Sequence, residues 1–325
     1  MAEVRDDAAK HVIVKAPGSI ANLGPGFDIL AIAISGLYDV VEISSTTGNG
    51  SIHVASEGFN VPSGAQNVAY AVAKGFMEKY RIRDVDLYIR VIKGIPPASG
   101  LGSSGATSAA TAFALSKLFG LNLSDGELLY LSGLGEAYAT GSPHYDNVAA
   151  SLFGGFIIVD INKNRVYSFR PHMKFNIAIV VPKLHELTSG KKTGYARSLL
   201  PKQIDLDMHT RQSSSLAKLI YALFSSDVEL FGEAVSTDFV VEPYRAKMIP
   251  YYYELKKLAF EYGALGFNIS GAGPSVFSIH RTSEEARYVG KKLMEFLINK
   301  GVDCEYIVSH LSESGVEVIE VKTYG

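Results

Sequence analysis

The chain has almost no cysteine. Cys304 stands alone among 325 residues, which excludes an intrachain disulfide framework and fits a reducing compartment. Blocks of basic residues are missing too. Lys and Arg number 31 against 33 Asp and Glu, a net charge of −2, which argues against a nucleic-acid surface. No apolar stretch suits a bilayer: the uncharged run 94–116 is broken by Gly and Pro, and its helical part is too short. The first ten residues, MAEVRDDAAK, are polar and partly acidic, unlike a signal or transit peptide. Low-complexity segments and internal repeats are absent. The remainder, 47% hydrophobic and 20% charged, is ordinary for a soluble globular protein, and the cytoplasm is its expected location. This length allows one large domain or two medium ones, each able to bury a core.

The missing charge in 94–116 is also the first positive signal. Residues 94–106 read GIPPASGLGSSGA. A strand-like run over 85–92, with alternating Asp86, Tyr88 and Arg90, precedes them, and a helix-like run over 106–119 follows. Gly100 and Gly102 permit positive φ and a close approach of backbone to ligand. Ser103 or Ser104 is placed to cap the helix, with its first N–H groups left to donate. Those donors and the helix dipole suit a phosphate, and a hydroxyl there suits a phosphate-bound Mg²⁺. A Walker A loop is excluded, because no Gly-Lys-Ser/Thr follows the glycines. A dinucleotide fingerprint is excluded as well: the third glycine comes one residue early and no acidic residue follows at the expected distance. From these residues alone, a close-packed turn before a small-residue helix stands as an equal alternative.

Residues 96–106, PPASGLGSSGA, resemble the phosphate loop of the GHMP kinases (galactokinase, homoserine kinase, mevalonate kinase and phosphomevalonate kinase), with Gly105 where that family usually has Ala. The resemblance implies ATP as phosphoryl donor. It implies Pro97, Ala98, Ser99, Gly100, Leu101, Gly102, Ser103 and Ser104 as its binding loop.

Residues 19–28, SIANLGPGFD, resemble the N-terminal motif of the homoserine kinase branch of that family. Alone, Asn22 reads as an Asx turn and Asp28 as a cap. The resemblance implies that both contact the amino-acid substrate, L-homoserine, with Asp28 facing its ammonium. Asn67 reads as the cap of an amphipathic helix over 67–80; the family places it near the adenosine. Ser124 and Glu127 form a capping box opening a helix to about residue 140. Glu136 on that helix is by itself a solvated carboxylate; the resemblance pairs it with Ser104 around Mg²⁺.

Residues 143–148 and 152–156 resemble the same branch. They imply His144 against the substrate and Asp146 or Asn147 at the reacting hydroxyl. Which of the two points there stays open, and phosphoryl transfer does not require a strong base. Residues 185–200 resemble a second substrate region with Arg197, and Arg245 matches the family's other substrate arginine. Two guanidinium groups on one carboxylate bind it specifically; without the resemblance they are two surface arginines. Residues 266–277 read as strand, glycine turn and strand, and resemble the family motif that packs near the phosphate loop.

Further strands are expected over 11–15, 29–34, 38–44, 51–55, 156–161, 176–181, 304–308 and 316–321, with a hairpin turn at 48–50. Helices are expected over 205–224, 227–239, 251–262 and 282–300. This mixed α+β pattern lacks regular βαβ alternation. The resemblance implies the GHMP kinase fold: residues 1–170 as an S5-domain-2-like α+β domain carrying the phosphate loop, and 171–325 as a ferredoxin-like α+β domain. It also implies a homodimer and a direct phosphoryl transfer. Two rival readings are another small-molecule kinase of the family, acting on mevalonate or shikimate, and a non-catalytic nucleotide or amino-acid sensor on the same fold.

Overall fold

The computed structural model describes residues 11–141, 143–163, 165–184 and 192–322. Strand β1 (His11–Ala21) starts as the alternation predicts but runs well past 15. The expected loop over 16–28 therefore begins only at Asn22. Burial of Ala16, Ile20 and Ala21 carries the strand through Pro17. Its antiparallel partner is β2 (Leu30–Thr47), one strand where two were expected. The register jumps between Pro17↔Tyr38 and Gly18↔Ile34, a bulge that absorbs residues 35–37 and tolerates a proline lacking its N–H.

The expected hairpin at 48–50 does not form. β3 (Ile52–Gly58) leads into α1 (Val68–Tyr80), and the chain returns as β4 (Val85–Lys93). β4 inserts between β2 and β3, antiparallel to the first and parallel to the second. A helix crossover is what a parallel pair requires. The turn itself is held by the Asp86 carboxylate, which accepts from the backbone N–H of Asn49 at 2.9 Å and Ser51 at 2.8 Å.

Three helices follow: α2 (Ser103–Leu118), α3 (Asp125–Thr140) and α4 (Tyr145–Phe153). α2 touches β1, β2, α1, α3 and α4. It is buried nearly all round, with Ala106, Ala109, Ala110 and Ala114 fully enclosed. That is why 94–116 carries no charge: this helix has no solvated face. The capping box of α3 is present as expected. α4 was not expected; nine residues are too few to show a helical period. β5 (Phe156–Asp160) pairs with β2, and β6 (Arg165–Phe169) with β5.

The second sheet has the order β10-β7-β9-β8, from β7 (Asn176–Pro182), β8 (Gly266–Ile269), β9 (Val276–His280) and β10 (Cys304–His310). All its pairs are antiparallel. Between β7 and β8 lie α5 (Lys192–Ser198), α6 (Leu206–Ser225), α7 (Val228–Val235), α8 (Glu242–Arg245) and α9 (Tyr252–Glu261); α10 (Ser283–Asn299) joins β9 to β10. Taken in chain order the strands lie 4-1-3-2, the split βαβ arrangement of the ferredoxin-like fold. The last strand, β11 (Glu317–Lys322), crosses back and pairs with β1 at the edge of the first sheet. Strands β1–β6 of the first sheet thus precede residue 170 and β7–β10 of the second follow it, while β11 belongs to the first.

α7 stops at Val235, short of the expected 239. Asp238 redirects the chain: its carboxylate accepts from the N–H groups of Val240, Val241 and Glu242, each at 3.0 Å. Those bonds open α8, which carries Arg245. Replacing Asp238 with Ala removes these three bonds and leaves their N–H groups without that partner, and urea unfolding is expected to show a loss of about 1–3 kcal/mol.

Candidate active site

The loop over 94–102 is fastened from below by a buried ion pair between the last residue of β4, Lys93, and Asp39 in the middle of β2. Lys93 Nζ donates to Asp39 Oδ2, to Ser103 O at 2.9 Å and to Thr107 Oγ1 at 2.8 Å. Asp39 Oδ1 accepts from the N–H groups of Gly94 and Ile95, both at 3.1 Å. Burial pulls Lys93 below the ordinary lysine range, and Asp39 opposes that pull. Neither residue was expected at the site. The signal was their phase: Lys93 follows Leu87, Ile89 and Val91 on the buried side of β4, and Asp39 precedes Val41 and Ile43 on the buried side of β2.

From above, the loop meets the turn over 270–275. Ser270 Oγ donates to Gly100 O at 2.7 Å, and Ser275 N–H donates to Ser99 O at 3.0 Å. The third motif thus packs where its resemblance implies. Close approaches to this turn and to β1 explain the glycines. Gly100 has φ +91°, and a Cβ there would lie 2.3 Å from Ser270 O; Gly102 has φ +70°, and a Cβ there would lie 1.9 Å from Ser19 Oγ.

Neither Ser103 nor Ser104 caps α2; left-handed Gly102 takes the cap position without a side-chain bond. Ser103 Oγ donates to Ile95 O at 3.1 Å, and Ser99 Oγ to Pro96 O at 2.7 Å, so both hydroxyls staple the loop. The first intrahelical bond runs from Ala106 N–H to Gly102 O at 2.9 Å. The amides of 103–105 precede it and point outward. Ser104 Oγ donates instead to Glu136 Oε1, at 2.5 Å. Burial raises the Glu136 carboxyl to about 7, against the lowering effect of that bond.

A cavity of about 860 Å³ opens over the loop. It is lined by Asn22, Asp28, Asn67, Ser104, Glu136, His144, Asp146, Asn147, Arg197 and Arg245, with Pro97, Ala98, Ser99, Gly100, Gly102 and Ser103 along its floor. Leu101 is the exception among the expected residues. Its side chain is fully buried in the core, and its backbone serves the loop, the carbonyl accepting from Ser19 N–H at 3.0 Å and the N–H donating to Ser99 Oγ at 3.3 Å.

Four segments distant in sequence meet at one end of the cavity. Arg197 Nη2 lies 2.6 Å from Asp28 Oδ2 and 3.3 Å from His144 Nδ1. The guanidinium carbons of Arg197 and Arg245 lie 5.2 and 5.0 Å from the centre of the Phe27 ring. The two arginines are therefore neighbours, not separate surface groups. Arg245 is buried and donates to Gly271 O at 2.8 Å; burial lowers it to about 10, and Asp28 opposes that shift. Burial also lowers His144 from its usual value. Asn22 has both ends of its amide engaged: Nδ2 donates to Gly271 O at 3.1 Å, and Oδ1 accepts from Asp28 N–H at 3.2 Å. At the start of α4, Asp146 Oδ1 accepts from Asn147 N–H at 2.7 Å, and Asn147 Oδ1 accepts from Ser19 Oγ at 2.8 Å. Burial first, then Asp28, raises Asp146 to about 6.

Asn67 does what its own sequence position suggests, capping α1 by accepting from Ala69 N–H at 2.9 Å, and it also lines the cavity. Lys192, at the start of α5, is a further lining residue that the sequence did not single out. Residues 185–191 of the expected second substrate region lie outside the described residues.

The model of the GHMP kinases N terminal domain matches residues 67–155, and that of the GHMP kinases C terminal matches 219–299. A homoserine kinase from Methanococcus maripaludis is 41% identical over 276 residues, covering 83% of this chain and 88% of that one. One from Aeropyrum pernix is 36% identical over 295 residues, covering 90% and 93%. The crystal structure of a homoserine kinase from Cytophaga hutchinsonii superimposes with a TM-score of 0.87 at 31% identity, covering 95% and 98%. On this fold, this site and these relatives, the chain belongs to the GHMP kinase family, in its homoserine kinase branch.

Proposed function

We propose that the chain transfers the γ-phosphate of ATP to the side-chain hydroxyl of L-homoserine, giving ADP and O-phospho-L-homoserine, a step of threonine biosynthesis. One observation carries this reading: Asp28, His144, Arg197 and Arg245 converge at the end of the cavity that adjoins the phosphate loop. An amino acid is a zwitterion, and this end offers it both signs. Without ligand, Arg197 and Asp28 neutralise each other. Both are partly exposed, at 43% and 34%, so the pair contributes little. Homoserine can replace it, with its ammonium on Asp28 and its carboxylate on the two arginines. Asn22 acts through Asp28, whose backbone it holds. Mevalonate has no ammonium and gives Asp28 no role.

The residues present fit a Mg²⁺. A hydroxyl and a carboxylate already adjoin at the phosphate end, and Mg²⁺ usually takes one or two carboxylates besides phosphate oxygens and water. Ser104 and Glu136 would hold it, and it would supply charge neutralisation on the phosphates. The outward amides of 103–105 and the loop backbone receive the remaining phosphate oxygens. Asn147 and Asp146 sit at the hydroxyl. As the new O–P bond forms and the bridging P–O bond of ATP breaks, the hydroxyl proton passes to the Asp146 carboxylate. Positioning does most of the work in such a loose transfer.

The division into 1–170 and 171–325 stands as a proposal, supported by the family models lying on either side of it. A homodimer also belongs to the reading and rests on the resemblance, whereas a cytoplasmic location rests on the lone cysteine and the ordinary composition. No helix among the described residues is long and apolar enough to cross a membrane.

Arg245→Ala is expected to raise KM for homoserine about 100-fold, with KM for ATP within about threefold; equal effects on both would remove its assigned role. Asp28→Asn should weaken homoserine by a similar factor and leave ATP binding, measured by calorimetry, unchanged. Asp146 works deprotonated, so kcat should rise as pH climbs through about 6. In Asp146→Asn that limb should vanish and kcat should fall about 10²-fold or more. A variant that keeps the limb would show that another group titrates there.

A further inference from the structure

Lys192 is a buried cation without a described counter-ion. Its Nζ donates to Ala98 O in the phosphate loop and to Gly273 O in the turn above it. Both acceptors are backbone carbonyls. An ammonium has three donors, and Lys192 also lines the cavity. The contrast with Lys93 on the far side of the loop is direct, since Lys93 has Asp39. Of the described charged groups, Arg245 on α8 acts on Lys192, and it disfavours the charged form; with burial it brings the lysine down to about 7. A buried charge is costly unless paired. An unpaired lysine at a ligand cavity therefore points to an anion that arrives with the ligand.

Two anionic groups enter this cavity on the reading above. The amino-acid carboxylate is accounted for by Arg197 and Arg245 around Phe27. Lys192 is held instead against the loop and the turn that grips it. The loop has no lysine of its own where a Walker A motif would supply one. We propose that Lys192 is the cation that pairs with the transferring γ-phosphoryl group, held toward it by Ala98 O and Gly273 O. It forms no covalent bond; its remaining N–H donates to the phosphoryl oxygens, whose charge must be neutralised in the transition state. The short helix α5 then reaches both ligands, the nucleotide through Lys192 and the amino acid through Arg197. The inference rests on the kinase reading, but not on which acceptor is used.

The test combines kinetics with proton linkage on the full chain. Lys192→Met should lower kcat about 10²–10³-fold, the range for loss of one charge-stabilising donor, with KM for the acceptor within about threefold. Lys192→Arg should recover at least a tenth of the activity. Calorimetry at pH 8 with the Mg²⁺ complex of a non-hydrolysable ATP analogue, in two buffers of different ionisation enthalpy, should show proton uptake by the native chain beyond that seen with Mg·ADP. The excess should disappear in Lys192→Met. An unchanged kcat in Lys192→Met, or a native chain with no excess uptake, overturns the proposal and leaves Lys192 a strut between helix and loop. If the native chain prefers another acceptor, the substrate assignment fails while these two readouts keep their meaning. Should Lys192→Met not fold, native proton uptake and Lys192→Arg still decide.

Discussion

The buried pair between Lys93 and Asp39 is the interaction on which the site depends. It links the last residue of β4 to the middle of β2 and fastens both ends of the phosphate loop at once. Asp39 takes the first two loop amides, and Lys93 takes the carbonyl of Ser103, the first residue of α2. Thr107, one turn further along the helix, donates to Asp39 Oδ2 at 2.7 Å and completes the set. A buried ion pair is stable only when its remaining hydrogen-bonding capacity is filled. Here the loop and helix fill it, so loop geometry and pair stability depend on each other. The helix amides are then aimed before any ligand arrives, which is the preorganisation that charge stabilisation requires.

The rest of the site is assembled across long sequence distances and held with some strain. Among the described residues, seven non-glycine residues have positive φ, and four of them, Asn22, Leu23, Asp28 and Ala98, belong to the two loops of the site. The other three, Arg81, Ser226 and Tyr251, cap helices. Such strain persists where surrounding contacts over-determine the backbone. Asn22 shows how: its amide ties the N-terminal loop to the turn at Gly271, the same carbonyl that anchors Arg245.

The parts that were legible in the sequence are those set by local chemistry. The glycine loop and the capping box of α3 could be read because cap and turn residues act within a few positions of themselves; the substrate motifs could be read only through their resemblance to the family. Strand partners could not. The 48–50 turn has hairpin residues, yet β4 takes the place beside β2 through contacts that no local signal encodes. β11 returning to β1, and the short α4, were hidden for similar reasons. At the site, Asp39 and Lys93 were visible in principle, as charges on the buried phase of their strands. Lys192 was not: its meaning comes from two carbonyls, at Ala98 and Gly273, that only the tertiary fold brings to it.

The central claim is that this cavity phosphorylates a small zwitterionic alcohol. Coupled ADP release with Mg·ATP, run in parallel against homoserine, mevalonate, shikimate and galactose, tests it most directly. The account predicts turnover with homoserine and none above background with the other three. Turnover with a different acceptor, or tight ATP binding without turnover on any, would contradict it.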